Sequence, residues 1–149
     1  MNTKYIILEG TPVTKKNSQQ IARRPNGQTF IVPSRKYKTF ALFAKSYLRK
    51  YYADITTVDY PVNLRCLYYM PTRRAVDLVN LLEATCDVLV SAGILKDDNS
   101  NIVISHDGSR VLYDKDRPRT EIYIESVVFD EKFIHSPSGL QGRPPAVKS

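Results

Sequence analysis

Five carboxylates fall within 22 residues of an otherwise basic chain: Asp77, Glu83, Asp87, Asp97 and Asp98. Carboxylate oxygens are hard donors. One or two of them, with waters and phosphate oxygens, hold Mg²⁺ or Mn²⁺. Such an ion activates water and stabilises the charge that develops in phosphodiester hydrolysis. Each acid also has a plain structural account. Asp77 stands where a helix N-cap would stand. Glu83 and Asp87 are an i,i+4 like-charge pair, which mildly destabilises a free helix. Asp97-Asp98-Asn99 is ordinary turn composition, without the glycine and terminal Glu of an EF-hand loop. A solvated helix face more often mixes signs, yet no Lys or Arg occurs from 75 to 95.

The elements that must position these acids are legible in outline. "VDLVNLLEATCDVLVSAG" has helical periodicity from about Asp77 to Ala92, with Gly93 as the C′ glycine and Ile94 as the apolar residue after it. On a helical wheel Leu78, Leu82, Thr85 and Leu89 form the core stripe, adjoined by Leu81 and Ala92. Asn80, Glu83 and Asp87 share the opposite, open side. Tyr5–Glu9, residues 29–34, 60–70 and 120–129 read as strands. Ser34 caps a second helix that reaches about Tyr52. "NIVIS" and "RVLY" are two further strands, joined by a hairpin at "HDGS". "GTPVTKKNSQQIARRPNGQ" reads as an irregular arm. Residues 130–149 read as a Pro/Gly/Ser-rich tail after a domain over 1–129. The expected fold is α+β: a single domain with a mixed or antiparallel sheet and two main helices packed on it.

Charge is divided between the halves. Residues 1–76 carry 14 Lys/Arg and 3 Asp/Glu; residues 77–149 carry 8 and 12. A polyanion held by the first half, with acids supplied by the second, fits this split. Lys15, Lys16, Arg23, Arg24, Arg35, Lys36, Lys38, Arg73 and Arg74 are available for phosphates. The ten tyrosines divide between base stacking and core packing, with packing the commoner role. His106 with Asp107 is a candidate acid or base, weighed against an exposed turn histidine. Cys66 and Cys86 lack metal-ligand spacing and read as buried free thiols. No apolar run is long enough to span a bilayer and the N-terminus has no signal-peptide pattern, so the expected location is the cytoplasm.

"MPTRRAVDLVNLLEATCDVLVSAGILKDDNSNI" resembles the central segment of the RusA-type Holliday junction resolvases, small endonucleases often carried by phages and prophages. That segment runs Met-Pro, a basic cluster, Asp-Leu-Asp-Asn-Leu, an acid on the same helix, Ala-Gly, then Asp-Asp. The resemblance implies a homodimer that cuts branched DNA, namely four-way junctions, on two opposed strands with Mg²⁺ or Mn²⁺. It implies essential acids at Asp77, at position 79 and at Asp98. Position 79 is Val here, and Glu83 stands where the family has a functional lysine. Glu83 lies one helical turn beyond Val79, and helical side chains lean towards the N-terminus. Glu83 is therefore the expected substitute for the missing ligand. Asp77 and Asp98 are expected on the ion, Glu83, Asp87 and Asp97 as further ligands or catalytic groups, and Asn80 as the residue orienting one of them. Lys15, Lys16, Arg24, Lys36, Arg73 and Arg74 are expected on DNA. The alternatives are a junction-binding protein of the same fold that does not cut, and an interaction protein whose acidic helix meets a basic partner.

Overall fold

The computed structural model describes residues 3–15 and 19–128. Lys16 and the tail expected over 130–149 lie outside the described residues. The fold is α+β, built on a five-stranded mixed sheet. Its strands are β1 (Thr3–Glu9), β4 (Val62–Met70), β5 (Val103–Ser105), β6 (Arg110–Tyr113) and β7 (Arg119–Ser126). The order is β1-β7-β4, with β5 and β6 both on the far edge of β4. β7 runs antiparallel to β1 and to β4. Two helices, α1 (Arg35–Tyr51) and α2 (Leu78–Ser91), complete the domain, and the hairpin of β2 (Gln19–Arg23) and β3 (Thr29–Pro33) forms a second, two-stranded sheet.

Period-two alternation sorts each long strand into two faces. Ile6 and Leu8, then Val62, Leu64, Cys66 and Tyr68, then Ile122 and Ile124, are all buried and form the core with Leu48, Leu81, Val88 and Leu89 of the helices. The Tyr68 hydroxyl pairs with Thr85 Oγ1 at 2.6 Å and ties β4 to α2 inside that core. The other sheet face carries long polar and aromatic side chains in register. Tyr5 stacks on Tyr123 at 4.7 Å. Arg65 lies 3.9 Å over the same Tyr123 ring and donates from Nε to Glu125 at 3.2 Å.

The connection from β4 to β5 positions the acids. Parallel strands cannot be joined by a tight turn and need a crossover. α2 is that crossover. Asp77 precedes its first turn and Asp97-Asp98 follow its last.

Two expectations fail here. Residues 19–23 lie inside the stretch read as an irregular arm, yet they form β2, closed onto β3 by a turn in which Gly27 has a φ of 87°. Gln19–Arg23 carries little apolar patterning, so only its pairing defines it. The second concerns "HDGS". β5 and β6 do not pair with each other; both run parallel to β4, at Val62–Asn63 and at Leu67–Met70. Residues 106–109 form a bulge in one edge strand instead of a hairpin. The Asn63 side chain captures this bulge, donating to the Asp107 carbonyl at 3.1 Å and accepting from the Asp107 amide at 2.8 Å. Gly108 takes a φ of 85°, and a Cβ there would stand 2.6 Å from Arg65 Cδ. The conformation favours glycine, and a side chain there would also have to displace Arg65. Among the described residues, no helix is long and apolar enough to cross a membrane.

Candidate functional site

α2 is more deeply buried than its wheel implies. Asn80, Leu81, Leu82, Ala84, Thr85, Cys86, Val88 and Leu89 are all buried. The main open strip runs through Val79, Glu83, Asp87 and Ser91, with Leu78 and Val90 partly exposed beside it; it is the i,i+4 row of a helix covered by the sheet on one side and by α1 on another. Asn80 belongs to the covered surface, 7% exposed, and not to the open side. Its side chain makes no hydrogen bond to any of the five acids.

At the N-terminal end of α2, Asp77 is the N-cap. Its Oδ1 accepts from the amides of Val79 at 2.9 Å and Asn80 at 3.4 Å. Both bonds fall on one oxygen, so Oδ2 remains available to a cation. Val79 is 67% exposed beside it. The preceding loop supplies basic groups. Arg73 stacks on the ring of Tyr113 at 4.3 Å. Arg74 lines a groove with Pro12, Val13, Thr14, Lys36, Met70 and Val76. The groove thus ends one residue from Asp77.

In the middle of α2, Asp87 is already occupied. Its Oδ2 accepts from the Tyr37 hydroxyl at 3.2 Å and from Lys15 Nζ at 3.3 Å. Burial, the Asp87 charge and the Glu83 charge all push the Tyr37 phenol up, so it stays a donor. Asp87 and Lys15, expected on metal and on DNA, are here bound to each other. The contact latches the 10–15 arm and α1 onto α2.

At the C-terminal end, Asp97 is satisfied within its own turn. It accepts from the Asp98 amide at 2.8 Å and from Asn99 Nδ2 at 2.9 Å. These donors hold its carboxyl below the ordinary range, the Asp98 amide first. No basic side chain or amide among the described residues donates to the Asp98 carboxylate. Asp98 and Asp87 both lie near enough to Cys86 to add to the burial that raises its thiol to about 12. Cys66 is also free and buried.

Asp77, Glu83 and Asp87 are therefore spread along the helix, and Asp97 and Asp98 lie in the turn after it. The fourteen residues of α2 separate its two ends by about 21 Å. Among the described residues, no three of His, Cys, Asp and Glu gather closely enough to hold a metal ion. The expected cage of Asp77, Glu83 and Asp98 is not assembled within one chain. Mg²⁺ does not demand one, since one or two carboxylates with water and substrate phosphate suffice. Asp77 with its open Oδ2 fits that mode.

The remaining candidates are placed elsewhere. Arg24 lies 5.0 Å over Phe30 on the β2–β3 hairpin. His106 sits on the bulge with Nδ1 2.9 Å from the Leu64 carbonyl; a carbonyl only accepts, so Nδ1 carries the proton and serves the bulge. Two residues at the site escape sequence reading. Tyr37 resembles any other aromatic at helical spacing, and Thr14 sits in a segment without periodicity. Neither carries a local signal of its tertiary partner.

The sequence profile of the family described as Endodeoxyribonuclease RusA matches residues 9–125. The match runs from the last residue of β1 into β7. No curated protein matches the chain.

Proposed function

The chain belongs to the RusA endodeoxyribonuclease family, and from that premise we propose that it resolves four-way DNA junctions by divalent-metal-dependent hydrolysis of phosphodiesters. The observation that carries this reading is the N-terminal end of α2. There an N-cap carboxylate with one uncommitted oxygen adjoins a groove walled by Lys36 and Arg74. Acid for an ion and base for a phosphate stand side by side, as metal-assisted phosphodiester hydrolysis requires.

Asp77 would hold Mg²⁺ or Mn²⁺ through Oδ2. The ion, when bound, supplies Lewis acidity to the scissile phosphate and lowers the pKa of a water. Lys36, Arg73 and Arg74 neutralise the strand backbone and fix its position. Glu83 is the exposed carboxylate one turn beyond Val79 and takes the role of the acid that Val79 lacks. Asp98, in the turn after α2, is the further acid expected on the ion, supplied within one chain or by the second copy of the homodimer that the family resemblance implies.

The deciding experiment is cleavage of a synthetic four-way junction with Mg²⁺ or Mn²⁺, comparing the wild type with Asp77→Asn and Asp98→Asn. Metal-dependent cutting by the wild type, lost in both variants, supports the reading. A wild type that binds the junction and never cuts it supports the second reading, a junction-binding protein of the same fold. That alternative is favoured by one observation, the exposed Val79 where the family carries an acid. For Glu83, the pair Glu83→Ala and Glu83→Ala with Val79→Asp tests substitution: loss in the first and recovery in the second. Unchanged cleavage by Glu83→Ala removes Glu83 from the site.

A further inference from the structure

The groove that adjoins Asp77 has a wall that the endonuclease reading leaves unused. Thr14 is 7% exposed and lines the groove with Lys36 and Arg74. Its hydroxyl makes no hydrogen bond to any described residue. Among the described residues no side-chain oxygen is both fully hidden and unpartnered, so the small part of Thr14 left open includes that hydroxyl. A hydroxyl with no protein partner and only a small opening to the groove is free to bond whatever occupies the groove, water or a ligand.

The opposite wall is the start of α1. Ser34 caps the helix through the Tyr37 amide at 3.1 Å, and the Lys38 amide bonds the Ser34 carbonyl at 3.0 Å. The amides of Arg35 and Lys36 have no partner among the described residues. A helix N-terminus already carries partial positive charge, and acids are favoured there. The first turn of α1 has none; it carries Arg35, Lys36 and Lys38 instead. The 17-residue helix thus carries three basic residues at the end where its own dipole opposes them. A bound anion relieves that arrangement. The groove measures about 240 Å³, below the range of small-molecule sites and suited to a single phosphate.

We propose that Thr14, Lys36, Arg74 and the first turn of α1 form a seat for one phosphate group, that of a nucleic-acid backbone, next to the strand segment cut at Asp77. Thr14 donates its hydroxyl to a non-bridging oxygen, Lys36 and Arg74 neutralise the charge, and the α1 amides complete the shell. Thr14 is a positioning residue: it sets where the neighbouring phosphodiester lies relative to Asp77. The assignment of the phosphate to DNA rests on the endonuclease reading.

The test measures binding of the full chain to junction DNA in EDTA, so that cutting plays no part. Thr14→Val should weaken binding about tenfold, the scale of one hydrogen bond to a charged group, with an unchanged salt slope and an unchanged melting temperature. Lys36→Gln should reduce the salt slope by about 0.9, one phosphate contact. Lys50→Gln, which removes the same charge from the last turn of α1, should change it less. Wild-type binding by Thr14→Val, or equal effects of Lys36→Gln and Lys50→Gln, would overturn the seat. Should Thr14→Val fail to fold, amide NMR of the wild type decides. A dinucleotide with a single phosphodiester should shift the Arg35 and Lys36 amides; a shift with inorganic phosphate alone overturns the backbone assignment, and no shift with either overturns the seat. A chain that cuts junctions yet shows no seat keeps its endonuclease reading, and a chain with the seat that cuts nothing loses only that reading.

Discussion

The two ends of α2 carry the same chemical group in opposite states. At the first turn, Asp77 spends one oxygen on two backbone amides and keeps the other, one residue beyond an open groove lined by Lys36 and Arg74. Past the last turn, Asp97 has both oxygens engaged, one by an amide and one by the Asn99 side chain. Asn99 in turn accepts from the Asn101 amide at 2.9 Å. An aspartate's availability is set by what it has already accepted. Composition counts the acids alike; the hydrogen bonds separate a group poised for a ligand from one that shapes a turn.

The sharpest way to break this contrast is to neutralise each acid without changing its shape. Asn caps helices about as well as Asp, so Asp77→Asn should keep its melting temperature. Junction cleavage, measured under single-turnover conditions, should fall by more than about a hundredfold, the upper end of what an outer-shell metal partner costs. Asp97→Asn should cut within a few-fold of wild type. Equal losses in the two variants would erase the distinction between the ends.

Asp98 supplies the next test. If it serves a second chain, Asp77→Asn and Asp98→Asn protein, each inactive alone, should regain cutting when mixed, because one site of a mixed dimer has both acids. If both acids serve one chain, mixing restores nothing. Cleavage assayed over a range of mixing ratios distinguishes the two.

Asp87 should behave as a latch. Asp87→Asn loses the ion pair with Lys15, whose side chains are each more than a third exposed. Exposed pairs contribute at most about 1 kcal/mol, and denaturant melts should register no more. A large stability loss would mean that the contact governs docking of the arm.

The smallest effect is the pH response of the Asp97 turn. Its folded pKa is lowered, so its stabilisation is complete above the ordinary aspartate value and is lost as pH falls through the lowered one. Carboxyl chemical shifts against pH should place the Asp97 midpoint below that of an unstructured aspartate. A midpoint at the ordinary value would mean that the turn's hydrogen bonds do not hold in solution.

The frame of the site was legible in the residues themselves. Asp77 caps α2, Gly93 takes a φ of 79° past its end, and the β4 alternation buries the expected face, all from local signals. What escaped was decided by distant partners. Asp-Gly is a hairpin signal in isolation, yet Asn63, more than forty residues away, holds Asp107 by both backbone groups and converts the turn into a bulge. Asn80 lies on the acidic side of an ideal wheel, and the packing of α1 and the sheet covers it. The family resemblance also places Asp77 and Asp98 in one site, while among the described residues no three possible ligands gather to hold an ion.

The position of β7 has a consequence for how the molecule is made. It is the last described strand in the chain, yet it lies between β1 and β4, and Thr3 finds its partner only in Glu125. During synthesis the first strand must wait, unpaired, until almost all of the described chain has left the ribosome. Long-range pairing of this kind is slow, and open strand edges invite association with other chains. Translation that stops short of Arg119 would release a product with two exposed edges and no strand to join them, a substrate for chaperones and proteases.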